Sequence, residues 1–254
     1  MTIRVLINGS YGKMGIEAVK AIGSSEEFML VGQTGRKDNL TQVIANVKPQ
    51  VVLDFTTAAA AFENSCKIIE AGVHPVIGTS GLRENDIQKL TQLCKQKKLG
   101  GLIIPNFSIG AVLAMQYAQN CALYFPDIEI IETHNPQKAD SPSGTAIRTA
   151  EMIAMTQQTS AKETVSGVSQ QQSSCVPLMT MEGARGAQYK DITIHSIRLP
   201  GIVARQTVIF GGLGEMINIT HEVSNRVAYL PGILLACRKV IHLNTLLCGL
   251  EHIL

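Results

Sequence analysis

Residues 3–15 read IRVLINGSYGKMG, a short β-branched run that breaks into glycines at 9, 12 and 15. The run predicts a strand and the glycines a tight turn. Residues 16–22 follow with helical spacing, Ile16, Val19, Ala21 and Ile22 apolar and Glu17 and Lys20 polar. The same alternation continues outward. FMLVG (28–32), VVLDF (51–55), HPVIGT (74–79) and GGLIIP (100–105) read as strands, with helices over 60–71 and 84–98 between them. Continuous apolar strands separated by helices predict a parallel sheet covered on both faces, the doubly wound (Rossmann-type) α/β pattern.

After Asn106 the rhythm changes. A long apolar helix over 110–123 precedes the strand-like IEIIET (128–133), a polar loop and a helix over 145–156. The polar stretch TQQTSAKETVSGVSQQQSS (156–174) reads as a surface excursion. QYKDITIHSIRL (188–199), ARQTVIFG (204–211) and EMINITHEV (215–223) then alternate as strands with one buried face, antiparallel in expectation. An apolar helix with Pro231 near its start closes the chain. The prediction is two domains. Residues 1–107 form a dinucleotide-binding domain, to which 215–254 can return. Residues 108–214 form an α+β domain with an open mixed sheet, for substrate binding and oligomerisation.

Composition narrows the function. The 254 residues are 45% hydrophobic and 17% charged, with a net charge of +2, so no global field recruits nucleic acid or an anionic membrane. No apolar stretch is long enough to span a bilayer, and the N-terminus lacks the apolar core of an export peptide. Six cysteines without a C-x-x-C pair point to a reduced, cytoplasmic compartment and not to a disulfide framework. The dispersed histidines predict no metal site.

Glycines at a strand-to-helix turn let backbone N–H groups and the helix dipole meet a pyrophosphate. The spacing G-x-x-G-x-x-G is a weak fingerprint by itself, but its flanking elements make 9–14 (Gly9, Ser10, Tyr11, Gly12, Lys13, Met14) the expected cofactor turn. The end of the second strand, GQTGRKDN (32–39), carries Gly35 where NAD sites place an acid, followed by Arg36 and Lys37. Cations there suit a 2′-phosphate, so NADPH is the expected donor, with NADH accepted.

The segments GSYGKMG, DFTT (54–57), GTSG (78–81), NFSIG (106–110), ETHNPQKADSPSGTA (132–146), GARGAQY (183–189) and HSIRLPGIVARQTVIFGG (195–212) occur in an order that resembles the 4-hydroxy-tetrahydrodipicolinate (dihydrodipicolinate) reductases of the diaminopimelate route to lysine. The resemblance implies an NAD(P)H-dependent reductase of a cyclic dicarboxylate, and a homotetramer. In the family motif E-x-H-H-x-x-K-x-D-A-P-S-G-T-A it makes His134 the proton donor and Lys138 an assisting acid. Ser143, Gly144 and Thr145 become the carboxylate cradle at a helix start. Gly78, Thr79, Ser80 and Ile104, Pro105, Asn106, Phe107 are implied to flank the nicotinamide. The chain departs at Asn135, where most relatives have a second histidine. Asparagine can contact a carboxylate but carries no charge, so weaker substrate binding at low pH with intact chemistry is expected. Arg198 can face the site but ranks no higher than an ordinary sheet arginine, and His195 and His221 read as structural. The rivals are another two-domain nicotinamide reductase, such as a semialdehyde or homoserine dehydrogenase, and a dinucleotide-sensing regulator without turnover. An acyl-transferring dehydrogenase would need a cysteine at a strand-to-helix turn. A sensor has no need of a proton donor beside an anion cradle.

Overall fold

The computed structural model describes residues 2–79, 81–160, 181 and 183–254. Ser80, Cys175 and residues 161–174 of the polar stretch lie outside them. The chain divides into two compact units, Met1–Ile109 with Arg226–Leu254, and Gly110–Asn225. Among the described residues no helix is long and apolar enough to cross a membrane.

In the first unit six parallel strands line up in the order β11 (Leu246–Cys248), β5 (Gly101–Ile103), β4 (His74–Ile77), β3 (Val51–Asp54), β1 (Ile3–Asn8), β2 (Phe28–Thr34). Helices α1 (Lys13–Gly23) and α7 (Leu230–Val240) pack on each other. The helices α2 (Leu40–Val47), α3 (Ala58–Glu70) and α4 (Glu84–Lys97) form a second contiguous group. Side-chain alternation explains the two layers. Leu6 of β1 and Val52 of β3 join Leu40, Ile44 and Ile68 in one core cluster, while their strand neighbours project to the opposite face. Each such fully buried aliphatic side chain contributes about 1.5–3 kcal/mol. Strand order reverses between β1 and β3, which opens a crevice at their carboxyl ends.

Two elements were not anticipated. α2 is only eight residues, held by Asn39, whose Oδ1 accepts from Gln42 N at 3.2 Å. β11 is three residues and adds to β5 in parallel register. After α7 the backbone comes back to the sheet edge, where Gly249 N donates to Ile103 O.

The second unit is a five-stranded sheet in the order β10 (Glu215–Val223), β9 (Ala204–Gly212), β6 (Asp127–His134), β8 (Ile192–Arg198), β7 (Ala187–Tyr189). Its core joins Ile128 and Ile130 of β6, Ile192 and Ile194 of β8, and Val208 and Phe210 of β9 to Ala146, Ala150 and Ile153 of α6 (Gly144–Ser160). Ala118 of α5 (Ile109–Cys121) completes it. Two expectations are corrected here, and the expected mixed sheet is found. Residues 215–225 stay in this unit because β10 pairs β9 over its whole length, and the chain re-enters the first unit only at Arg226. Residues 188–199 are two strands, since Lys190 and Asp191 both take positive φ (49° and 64°) and form a two-residue hairpin turn. β6 and β8 run parallel, while the other pairs are antiparallel.

Candidate functional site

The crevice of the first unit is built on the turn after β1. Gly9 has φ +78°, and a Cβ there would lie 2.6 Å from Phe55 O, so only glycine fits. A Cβ on Gly15 would meet Gly9 O at 2.2 Å, which is why α1 can start directly under the turn. Gly12 caps α1 without any side-chain hydrogen bond, and the first turn of the helix carries no acid. Its N–H groups and dipole therefore face the crevice uncompensated. Ser10 is buried, its hydroxyl donating to Thr34 O, whereas Tyr11 is 71% exposed with its ring over Gly35. Gly12, Lys13 and Met14 share a cleft of about 310 Å³ with Phe55, Thr56, Ala58, Gly78 and Thr79.

A buried carboxylate locks the strand ends around this cleft. Asp54, 0% exposed at the end of β3, accepts from Asn8 Nδ2 (3.0 Å), Asn64 Nδ2 (3.0 Å), Thr56 N (2.9 Å), Thr56 Oγ1 (2.5 Å) and Thr79 Oγ1 (3.3 Å). Five donors from β1, α3 and the loops after β3 and β4 thus converge on one side chain. Backbone bonds extend the pairing past the strand ends, from Phe55 N to Asn8 O, Gly78 N to Asp54 O and Ile104 N to Ile77 O. Sequence reasoning gave DFTT no role of its own. The acid after an apolar run was visible, its partners were not.

The predicted nicotinamide-flanking residues are distributed unequally. Gly78 and Thr79 line the cleft. Ile104 is fully buried, Pro105 is exposed, and Asn106 accepts from Ser108 N through Oδ1. Phe107 is 4% exposed and lies behind Phe55, ring centroids 5.6 Å apart, so the aromatic face on the cleft is that of Phe55. A Cβ at Gly78 would strike both rings. Arg36 and Lys37 are exposed and form no ion pair among the described residues. Asp38, next in sequence, turns its carboxylate back onto Gly35 N at 2.8 Å. These features fit a dinucleotide. The glycine turn admits close backbone approach, the bare helix end suits its pyrophosphate, and two free cations stand past β2.

The second unit gathers the other predicted residues at the carboxyl end of β6. Glu132 and His134 are two apart and share the face that carries Ile128 and Ile130. His134 Nδ1 is 2.5 Å from Glu132 Oε2, and the Glu132 side chain is 0% exposed. Arg198, directly across from His134 in β8, brings Nη2 to 2.9 Å from Glu132 Oε1. That contact is coulombic, because Oε1 has no well-aligned hydrogen bond, and Nη2 also donates to Asp140 O at 2.7 Å. Burial would push the Glu132 carboxyl up, but Arg198, Ser196 and His134 overcome it and hold it below the ordinary glutamate range. Glu132 is the site residue that sequence reading missed, and Arg198 was given no partner there. Strand spacing placed Glu132 on the same face as His134, but the Arg198 partnership depends on register.

The loop after β6 is organised by its own side chains. Asn135 Oδ1 accepts from Gln137 N at 3.0 Å and its carbonyl from Lys138 N at 3.1 Å, an Asx turn that leaves the amide NH₂ as the group able to face a ligand. Lys138 Nζ is 2.8 Å from Asp140 Oδ1. Ser143 is buried as the cap of α6, Oγ accepting from Ala146 N and the carbonyl from Ile147 N. The Asp140 carboxyl is held low, chiefly by Lys138, with a smaller contribution from the backbone of Gly144. A Cβ on Gly144 would meet nothing within 4 Å, and Thr145 follows in the first turn of α6. No described cysteine is set up as a nucleophile at a strand-to-helix turn. Burial pushes the Cys94 thiol up to about 11 and Cys237 higher still.

Comparison with known proteins agrees with both halves of this description. The family profile "Dihydrodipicolinate reductase, N-terminus" matches residues 3–107, and "Dihydrodipicolinate reductase, C-terminus" matches 110–254. The chain is 48% identical over 255 residues to a 4-hydroxy-tetrahydrodipicolinate reductase of Legionella pneumophila, each covered completely. It is 45% identical over 254 residues to the enzyme of the same name from Coxiella burnetii, again with complete coverage of both. A solved structure titled dipicolinate-bound dihydrodipicolinate reductase, from Paenisporosarcina sp. TG-14, superposes with a TM-score of 0.86 at 39% identity and covers 100% of both chains. The chain belongs to the dihydrodipicolinate reductase family.

Proposed function

We propose that the protein reduces 4-hydroxy-tetrahydrodipicolinate to tetrahydrodipicolinate in the diaminopimelate route to lysine, using a nicotinamide nucleotide held by the first unit and a proton from His134 in the second. The nucleotide, when bound, supplies the hydride. Gly9, Gly12 and the start of α1 hold its pyrophosphate, and Gly78 and Thr79 border its reactive end. Arg36 and Lys37 compensate a 2′-phosphate, which makes NADPH the preferred donor with NADH accepted. The ring takes one hydride and one proton, and its 4-hydroxyl departs as water. His134 gives its proton from Nε2, and Lys138 assists. Ser143, Gly144, Thr145 and the Asn135 amide receive a substrate carboxylate.

One observation carries the substrate half of this reading. The cradle already holds a carboxylate, that of Asp140, on Lys138 Nζ at 2.8 Å in the loop that leads into α6. A substrate carboxylate would exchange for it. Pairing of second-unit sheets between subunits, as a homotetramer, is part of the same proposal. The test is nicotinamide absorbance with substrate made in situ by the upstream synthase from pyruvate and aspartate semialdehyde. The wild type is expected to turn over, and His134→Gln to lose about 10²–10⁴-fold in kcat, the usual worth of a general acid. Undiminished turnover by His134→Gln would remove the proton-donor role. Nucleotide binding without turnover by the wild type would favour a sensor.

A further inference from the structure

We infer that Glu132 is a positioning residue that keeps a proton on Nδ1 of His134, and that Arg198 determines which oxygen of Glu132 does so. The inference rests on His134 being the proton donor. Glu132 is wholly buried and cannot reach a ligand, yet it contacts the ring at 2.5 Å. As a carboxylate it is acceptor-only, so the proton between the two groups sits on the imidazole. Ring geometry then leaves Nε2 as the nitrogen that can face substrate. When Nε2 gives up its proton, the neutral ring retains its Nδ1–H bond and nothing else has to move.

Arg198 makes the arrangement one-sided. It is donor-only, its Nη1 and Nη2 anchored on Ile197 O (2.9 Å) and Asp140 O (2.7 Å), and it stands 2.9 Å from Oε1. The register leaves little choice, since Glu132 lies opposite Ser196 and His134 opposite Arg198 in the parallel pair. Only Oε2 is left for the imidazole.

This arrangement gives the near-isosteric Glu132→Gln a specific failure. Its amide oxygen must take the Arg198 side, which turns the NH₂ toward Nδ1. A donor then faces a donor, and the neutral ring is forced to carry its proton on Nε2. The expected loss in kcat is about 10²–10⁴-fold, by analogy with replacing the carboxylate of a catalytic triad by its amide, while KM stays within about threefold. The double variant Glu132→Gln/Arg198→Met frees the amide to rotate and offer its oxygen to Nδ1–H. Its kcat is expected to recover at least about tenfold over Glu132→Gln alone.

The experiment combines steady-state kinetics with long-range ¹H–¹⁵N correlation spectra of His134 in the full-length protein. The neutral ring is expected as Nδ1–H in the wild type, Nε2–H in Glu132→Gln and Nδ1–H again in the double variant. An unchanged tautomer in Glu132→Gln, or a double variant no more active than the single, would overturn the inference. A purely structural role predicts the opposite order, with the double variant worst. If Glu132→Gln does not fold, Arg198→Met alone decides, because the retained carboxylate must keep Nδ1–H there. Normal turnover by His134→Gln would sink the proton-donor reading, while the spectra would still report whether Glu132 sets the tautomer.

Discussion

Replacing Asp54 by asparagine should destabilise the first unit by about 2–4 kcal/mol while creating no cavity. The carboxylate accepts on both sides. Oδ2 takes the amide donors of Asn8 and Asn64, and Oδ1 takes Thr56 N with the hydroxyls of Thr56 and Thr79. Asparagine offers one oxygen and one NH₂ in the same space. With the NH₂ toward Asn8 and Asn64, donors meet donors, and relief requires both amides to rotate, Asn8 turning its own NH₂ onto the Thr34 hydroxyl that now donates to it at 2.9 Å. With the NH₂ toward Thr56, the hydroxyls can turn round but the backbone N–H cannot. Either a buried donor is orphaned, at about 1–3 kcal/mol, or both neighbouring amides leave their native orientation. The surviving bonds also change from charge-assisted to neutral, worth about another 1 kcal/mol.

Urea denaturation followed by far-ultraviolet circular dichroism reads this as a shift in midpoint at constant slope. Nucleotide affinity should fall with it, by about fivefold or more, because Asp54 fixes the strand ends that border the cleft. Fluorescence of bound NADPH measures that separately. A destabilisation under about 0.5 kcal/mol with unchanged affinity would show that the five donors are satisfied without the carboxylate, and the reasoning would fail.

Two other outcomes can be checked with the same protein. Arg36→Ala should raise the KM for NADPH by about tenfold and leave that for NADH within about twofold, the worth of one charge-assisted phosphate contact. Equal effects on both nucleotides would take Arg36 off the 2′-phosphate. Acid should destabilise the second unit. Glu129, Glu132 and Asp140 are all held below their ordinary values: Glu129 against burial by His195 and Arg185, Glu132 against burial by Arg198, Ser196 and His134, and Asp140 chiefly by Lys138. A lowered folded-state value means the unfolded chain takes up protons first. Their stabilisation is complete above the ordinary carboxyl range and is lost as pH falls through the folded-state values. Thermal midpoints should therefore drop from roughly pH 5 to pH 3, less steeply in Glu132→Gln than in the wild type. Parallel curves for the two would contradict the assignment for Glu132.

Local signals in the sequence carried the first unit well. β1 and its glycine turn announce themselves because an apolar run, three glycines and a helical period fall within twenty residues. α2 and β11 did not, since eight and three residues give too little periodicity to separate from loop. The Lys190–Asp191 turn hid because neither residue is glycine or asparagine, although both adopt positive φ. The polar networks were the least legible. Asp54 depends on Asn8, 46 positions away, and Glu132 on Arg198, 66 positions away, and only sheet order and register join them. Asn135 is the reverse case. The resemblance to the family motif marks it as a departure from a second histidine, but locally it is an Asx turn that the following proline already favours.

Helix capping connects the two units to the ligands proposed for them. α2 satisfies its own N-terminus through Asn39, and α4 places Glu84 and Asp86 in its first turn. Neither end would welcome an anion. α1 and α3 begin at Gly12 and Thr57 with no side-chain cap and no acid in the first turn, and residues of both line the cleft. The crevice at the strand-order reversal is therefore electropositive by backbone alone, and Lys13 adds a side-chain charge. α6 solves the same problem differently. Ser143 caps it internally, while Asp140, in the loop just before it, supplies a carboxylate to Lys138. A helix start that already holds a carboxylate from its own loop has the geometry and charge for one from a ligand, and exchange between the two keeps every donor satisfied. The pyrophosphate of a nucleotide bound as proposed would meet open N–H groups in the first unit, whereas a dicarboxylate in the second would compete with Asp140. Binding there is consequently the more sensitive of the two to substitution in residues 135–145.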